Sequence, residues 1–375
     1  MSSEEQSSFL SYILTGTAVA GSVAAALLVV LYVNQNKLLY MPNPPGFPVT
    51  PDDNPPGWRS PLDWNADGRM KRGQEKSDFF FEDTFIETFD GCKIHVWLIA
   101  HKHGASTVPT VIYFHGNAGN MGFRLKNAML MFSESGVNVL MMDYRGYGKS
   151  TGVPTERGLN IDGDAVLEYA SQHPVLKGSP IVCFGRSLGG ALSISLAHRW
   201  PSLVRAVVVE NTFLSIAAMV DKLMPAVSFM KDLVLAIDWG SDKKISTLEQ
   251  PVLFISGDSD ELVPTQHMMS LHRLALKSRL REFFSVRGGT HNDTWERAGV
   301  AYYQKLREFL GKSFPECYGN DEKCVVQDSS SEDRPSPGSG SQNTDDEFYK
   351  ITAEDMSPQP KVSIPTMGEN FKVSS

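Results

Sequence analysis

The sequence predicts an α/β fold: a mainly parallel, eight-stranded sheet flanked by helices and preceded by one apolar helix. Three observations lead to it. Short, nearly continuous apolar runs alternate with longer amphipathic segments through the middle of the chain. Most of these runs end in a cluster of glycine and polar residues, and one long uncharged stretch opens the chain. Strands covered by helices on both faces are apolar throughout. Strand alternating with helix implies right-handed crossovers and parallel pairing.

Gln6 to Asn36 contains no charged residue, and Phe9 to Val33 is mostly Leu, Val, Ala and Ile. About 20 apolar residues suffice to cross a bilayer. A cleaved signal peptide wants a basic start and an apolar core of about 7–15 residues, whereas this chain opens with Glu4 and Glu5. The expectation is an uncleaved signal-anchor within residues 1–36, its membrane-spanning part over about 9–33. No Lys or Arg precedes Lys37, which by the positive-inside rule favours a cytosolic catalytic unit. The one Asn-x-Ser/Thr acceptor, Asn292-Asp293-Thr294, agrees with that side. Residues 37–77, rich in Pro, Gly and Asp, read as an irregular juxtamembrane linker.

Candidate strands follow at Thr84–Thr88, Lys93–Ala100, Thr110–Phe114, Val137–Met142, Pro180–Phe184, Val204–Val209, Pro251–Ser256 and Arg281–Ser285. The first two are joined only by the turn Phe89-Asp90-Gly91-Cys92, which predicts an antiparallel hairpin. Helical periodicity covers about 123–134, 155–173, 188–199, 265–276 and 293–310, with a small cap over about 213–250. The folded domain is expected to span 78–311. From residue 312 onward the chain is rich in Ser, Pro, Gly, Asp and Glu, with 12 acidic and 6 basic residues. Such a segment buries too little apolar surface to offset its ordering entropy, so a disordered acidic tail open to other proteins is expected. The net charge is −8. Without the tail the chain is near neutral, which argues against nucleic-acid binding.

Gly185-Arg186-Ser187-Leu188-Gly189 fits G-x-S-x-G where the fifth strand meets a helix. There the motif means a turn so sharp that the serine hydroxyl stands above the sheet. The plainer alternative is a serine that caps a helix. A nucleophilic hydroxyl needs a base, and the base needs an orienting acid. His291, in Arg287-Gly-Gly-Thr-His-Asn-Asp, is the expected base, because it follows the last strand in a glycine-loosened loop. Asp260 is the leading acid, in Gly257-Asp-Ser-Asp-Glu-Leu-Val-Pro264; Asp258 and Glu210 are alternates. Asp258 is expected to cap a turn, and Glu210 to pair with Arg186 across adjacent strand ends.

Acyl transfer also needs N–H donors for the developing oxyanion. The backbone of Leu188 is one; Asn117, or alternatively Ala118, in His115-Gly-Asn-Ala, is the second. That loop lacks the phosphate-binding patterns GxxxxGK[ST] and GxGxxG. The remaining histidines and the scattered cysteines form no metal-binding pattern, so neither a metal nor a cofactor is expected. Asp143-Tyr-Arg-Gly-Tyr-Gly-Lys-Ser150 reads as a structural turn whose Asp and Arg make buried hydrogen bonds.

Phe114-His-Gly-Asn-Ala-Gly-Asn120, Asp143-Tyr-Arg-Gly-Tyr-Gly148, Phe184-Gly-Arg-Ser-Leu-Gly-Gly190, Val209-Glu-Asn-Thr-Phe-Leu-Ser215 and Gly289-Thr-His-Asn-Asp-Thr-Trp295 occur in that order. Over about Leu38 to Leu310 this resembles the bud-emergence-46-like family of serine hydrolases, among the alpha/beta hydrolase domain-containing proteins. The resemblance implies the alpha/beta hydrolase fold and one N-terminal membrane segment. It also implies an acid in a Ser-Asp pair after the seventh strand, which falls on Ser259-Asp260. It says nothing of the acidic tail. The expected activity is hydrolysis of an ester or thioester in an acylated small molecule, lipid or S-acylated protein. An acyltransferase of the same fold and a catalytically silent membrane scaffold are the alternatives.

Overall fold

The computed structural model describes residues 3–71 and 77–318. Eight strands form one sheet: β1 (Phe80–Glu87), β2 (Lys93–Ala100), β3 (Thr110–Phe114), β4 (Asn138–Met142), β5 (Ile181–Arg186), β6 (Val204–Glu210), β7 (Val252–Gly257) and β8 (Arg281–Val286). Their spatial order is β1-β2-β4-β3-β5-β6-β7-β8. β1 and β2 form the expected antiparallel hairpin, and β2 also runs antiparallel to β4. Every other pairing is parallel. The first strand begins at Phe80 rather than Thr84, because Phe80–Asp83 pair with Trp97–Ala100.

Alternate strand residues supply two cores, one on each face. Ile112, Phe114, Cys183, Val207 and Phe254 meet α3 (Glu156–Gln172), α4 (Leu188–Arg199) and α8 (Thr265–Leu274). Val111, Tyr113, Val182, Phe184 and Leu253 meet α2 (Leu125–Ser135) and α10 (Val300–Ser313). Apolar area removed from water stabilises by roughly 25 cal/mol per Å², and these strands contribute to it on both faces. The chain moves outward from β3 to β4 and then crosses back over β3 to β5. Connections therefore diverge between β3 and β5, and the crevice at such a switch point is where ligands bind in open α/β sheets.

Several segments differ from the sequence-based expectation. Residues 293–310 form two helices, α9 (Thr294–Ala298) and α10, because Gly299 adopts φ 54° between them. The cap is also broken. α5 (Ile216–Leu223) stops short of Pro225, a 3-10 turn follows over Pro225–Met230, and α6 (Lys231–Val234) and α7 (Ser241–Ile245) complete the crossover. A proline disfavours helical backbone in the residue before it and lacks the N–H to continue. The juxtamembrane stretch is no free linker where it is described: Tyr40, Asn54 and Trp64 are buried, and short 3-10 turns occupy Pro51–Asp53 and Pro61–Asp63. The folded unit also extends past residue 311. Phe314 is fully buried, and α11 (Pro315–Tyr318) bonds back through Tyr318 Oη to the Ser135 carbonyl at 3.1 Å. The rest of the acidic tail lies outside the described residues.

α1 (Ser3–Leu39) carries a 26-residue stretch, Leu14–Leu39, long and apolar enough to cross a membrane. Most of its described side chains are exposed, but Leu28, Asn34, Gln35, Asn36 and Leu39 are half-buried, Leu28, Gln35 and Leu39 among them lying in one row. Their spacing of seven and four residues puts them on one helical face.

At the other end of the sheet, Arg145 ties the β4 connection to its surroundings. Its Nε reaches Asp162 Oδ1 at 2.9 Å, and its two terminal nitrogens reach Asp90 at 2.9 and 3.1 Å. Those hydrogen bonds hold the Asp90 carboxyl down at about 2. Asp162 is wholly buried. Arg145→Ala leaves that carboxylate without its cation, so stability is expected to fall by about 3–5 kcal/mol. Thermal unfolding of the detergent-solubilised chain checks this, with Tm lowered by about 10 °C.

Candidate active site

Ser187 stands where β5 becomes α4 within a single residue. Its backbone sits at φ 54°, ψ −118°, which costs a non-glycine residue of order 1–3 kcal/mol and persists only when the surroundings enforce it. Three hydrogen bonds do so. Ser187 N donates to the Glu210 carbonyl at 2.9 Å, and the Ser187 carbonyl accepts from Gly190 N at 2.9 Å and Thr212 Oγ1 at 2.7 Å. Side chains are excluded around the turn. A Cβ on Gly185 would overlap the Gly189 carbonyl, and one on Gly189 would overlap the Phe114 carbonyl. One on Gly190 would lie 2.6 Å from Thr212 Cβ. The Ser187 side chain makes no capping hydrogen bond to its helix, so the plain N-cap reading fails.

The β8 loop places His291 on Asp260: Nδ1 and Oδ2 are 2.8 Å apart, and both side chains are nearly inaccessible. The other Asp260 oxygen accepts the N–H groups of Leu262 and Val263 at 2.9 and 2.7 Å, which fixes the carboxylate. An ionised carboxylate accepts at Nδ1, so the proton sits there and Nε2 is left as the basic nitrogen. Arg186 Nη1 donates to the Asn292 carbonyl at 3.1 Å, and Asn211 Nδ2 to the His291 carbonyl at 3.2 Å. These bonds draw the His291 loop over the ends of β5 and β6. Among the described residues no hydrogen bond joins Ser187 Oγ to His291. Such contacts often tighten only when substrate is bound.

Both alternate acids are engaged elsewhere. Asp258 accepts Gly288 N at 2.7 Å, pinning the β8 loop across the gap rather than capping only its own turn. Glu210 is buried, takes the Tyr302 hydroxyl, and has its carboxyl pushed up by burial. The expected Glu210–Arg186 pair does not form. No ion-pair contact joins them among the described residues, because the guanidinium is turned to the Asn292 carbonyl.

The loop after β3 carries the other expected donors. Backbone N–H groups of Asn117, Ala118 and Leu188 have no acceptor among the described residues. The loop is held from three sides. Tyr144 Oη donates to the His115 carbonyl at 2.7 Å and Tyr147 Oη to Asn117 Oδ1 at 2.9 Å. Arg124 Nη2 donates to the Ala118 carbonyl at 3.1 Å. Burial first, then the nearby Arg186, push Arg124 down to about 9, so at neutral pH it keeps its charge behind the loop. From the juxtamembrane side, Asn117 Nδ2 donates to the Leu39 carbonyl, Met41 N to Asn117 Oδ1 at 3.4 Å, and Gly119 N to the Met41 carbonyl at 3.4 Å. The sequence reading gave the tyrosines of Asp143-Tyr-Arg-Gly-Tyr-Gly148 no task; they support this loop. The available signal was their position at the end of β4, the strand beside β3.

With this geometry in place the likenesses to known proteins become informative. The chain is 35% identical to protein bem46 of Schizosaccharomyces pombe over 295 residues, covering 78% of this chain and 91% of that one. It is 34% identical to the alpha/beta hydrolase domain-containing protein WAV2 of Arabidopsis thaliana over 312 residues, 79% and 94% of the two chains. The chain belongs to the bem46-like family of alpha/beta hydrolases. Residues 105–239 match the serine aminopeptidase S33 family, and an uncharacterized membrane protein of Saccharomyces cerevisiae is 32% identical over 75% of the chain. The fold is shared with the Pyrococcus furiosus esterase Pf2001 at TM-score 0.53 and 20% identity, over 63% of this chain and 91% of that one. It is also shared with acetyl xylan esterase 1 of Thermoanaerobacterium, at TM-score 0.51 and 20% identity over 65% and 86%.

His115 reports on the integrity of this loop. Burial pushes its imidazole down to about 4, from an ordinary 6.5. Between those values the unfolded chain binds a proton that the folded chain refuses. The stability that the neutral imidazole contributes is therefore complete above about pH 6.5 and lost as pH falls toward 4. The loss approaches about 3 kcal/mol. Tm recorded from pH 7 to 5 is expected to fall more steeply for the native chain than for His115→Asn.

Proposed function

We propose that this chain is a membrane-anchored serine hydrolase that cleaves esters or thioesters through Ser187, His291 and Asp260. The reading rests above all on the 2.8 Å His291–Asp260 pair, together with a serine held at positive φ at the end of β5. Ser187 Oγ attacks the acyl carbonyl while His291 Nε2 takes its proton. The Leu188 N–H and the Asn117 or Ala118 N–H receive the oxyanion, with the N-terminal end of α4 adding its dipole. His291 then protonates the leaving alcohol or thiol, giving an acyl-enzyme and free product. Water, deprotonated by the same nitrogen, releases the acid. Asp260 stabilises the imidazolium and keeps the productive tautomer. α1 serves as the anchor, and Lys37 at its C-terminal flank favours a cytosolic catalytic unit.

The test is covalent labelling with a fluorophosphonate probe. The native chain is expected to label and Ser187→Ala to stay unlabelled; equal labelling of the two removes Ser187 from the mechanism. Asp260→Asn is expected to lower kcat on a p-nitrophenyl ester by roughly 10³–10⁴. A change below tenfold would return the acid's role to Asp258 or Glu210.

A further inference from the structure

Four large apolar side chains in the crossover between β6 and β7 are exposed, two of them with little protein cover. Phe229 is 80% exposed and Leu233 is 73% exposed, with Leu223 and Met224 exposed beside them in sequence. Clustered exposure of this kind marks a contact surface. Its position says which contact. α6, which carries Leu233, packs alongside α1. Just beyond it, Gln35 Oε1 accepts the N–H groups of Ala236 and Ile237 at 2.8 and 3.2 Å. Trp239 Nε1 then donates to Tyr40 Oη at 3.0 Å. Half-burial on this face of α1 reaches back to Leu28, inside the apolar stretch. Seven residues separate Leu28 from Gln35, about 10 Å along the helix. The cap is therefore clamped at the level where the apolar helix ends.

We propose that this cap surface, with Phe229 and Leu233 at its centre, sinks into the headgroup–acyl boundary of the bilayer that α1 crosses. The catalytic unit then lies against the membrane and takes long-chain acyl substrates laterally from the leaflet. The inference rests on α1 as a span and on the hydrolase reading, and it names the substrate class of that same site. The route is short: the crossover departs from Thr212, whose hydroxyl holds the Ser187 carbonyl, and α5 begins four residues later. Apolar rings and branched chains at this depth add binding by area, and Lys222 in the same stretch has the reach to meet lipid phosphates.

Two measurements on the full chain in phosphatidylcholine–phosphatidylserine nanodiscs test this. The first places an environment-sensitive fluorophore on Phe229→Cys, corrected for labelling of the native cysteines. Lipids spin-labelled on the acyl chain are expected to quench it by at least half. The same probe on Trp200→Cys, at the far end of α4, should remain unquenched. An unquenched probe at 229 overturns the membrane contact. A blue shift without lipid quenching also overturns it, and assigns the surface to a second copy of the chain or another protein. The second compares Phe229→Ser/Leu233→Ser with the native chain. Hydrolysis of a palmitoyl thioester held in the disc is expected to fall about tenfold. Fluorophosphonate labelling and turnover of a water-soluble acetyl ester should be unchanged. Equal loss on both substrates, or no loss on either, overturns the lateral route. A native chain that fails to label at all defeats the hydrolase reading, while the quenching result still decides the membrane contact.

Discussion

The site depends on one steric constraint: β5 has to become α4 inside one residue. That turn brings the start of α4 so close to the end of β3 that Gly189 lies against the Phe114 carbonyl. The same turn lifts Ser187 into a backbone region that costs free energy, so the neighbours must hold it there. They do so through Thr212 and the Glu210 carbonyl, which makes the β6 end part of the serine's support. Strain at the turn, tight glycines and the donor loop are consequences of one close approach.

Charge is arranged to suit an anion at that point. Arg124 and Arg186 lie on the donor-loop side, and Glu210 is the buried carboxyl nearest to them in charge interaction. Burial pushes the Glu210 carboxyl up. Asp260 has one oxygen on His291 and its other oxygen consumed by two backbone donors.

Much of this was legible in the residues. Near-continuous apolar runs located the six inner strands to within a few positions, because a strand buried on both faces leaves little room for polar exceptions; the half-exposed edge strands β1 and β8 carry charged residues. Ser187, His291 and Asp260 stood out because each follows a strand in a glycine-rich or turn-forming context. What the sequence concealed were contacts between segments distant along the chain. Asn117 meets Leu39 and Tyr147 through side-chain hydrogen bonds that have no local periodicity. Proline-rich residues 41–71 read as a linker by composition, yet Asn54 bonds Asn120 at 2.8 Å beneath the donor loop. Arg186 and Glu210 were correctly placed on neighbouring strand ends, but adjacency did not reveal that Asn292 and Tyr302 claim them first.

The bonds between Asn117 and the Leu39–Met41 backbone also tie the last residue of α1 and the stretch after it to the loop that follows β3. A boundary chosen by hydropathy alone, at the end of the apolar stretch, would make Tyr40 the first residue. Such a trimmed chain exchanges one partner of this loop, the Leu39 carbonyl, for water, although every expected side chain of the site remains. The shortest chain that keeps every support of this loop therefore begins inside the apolar helix.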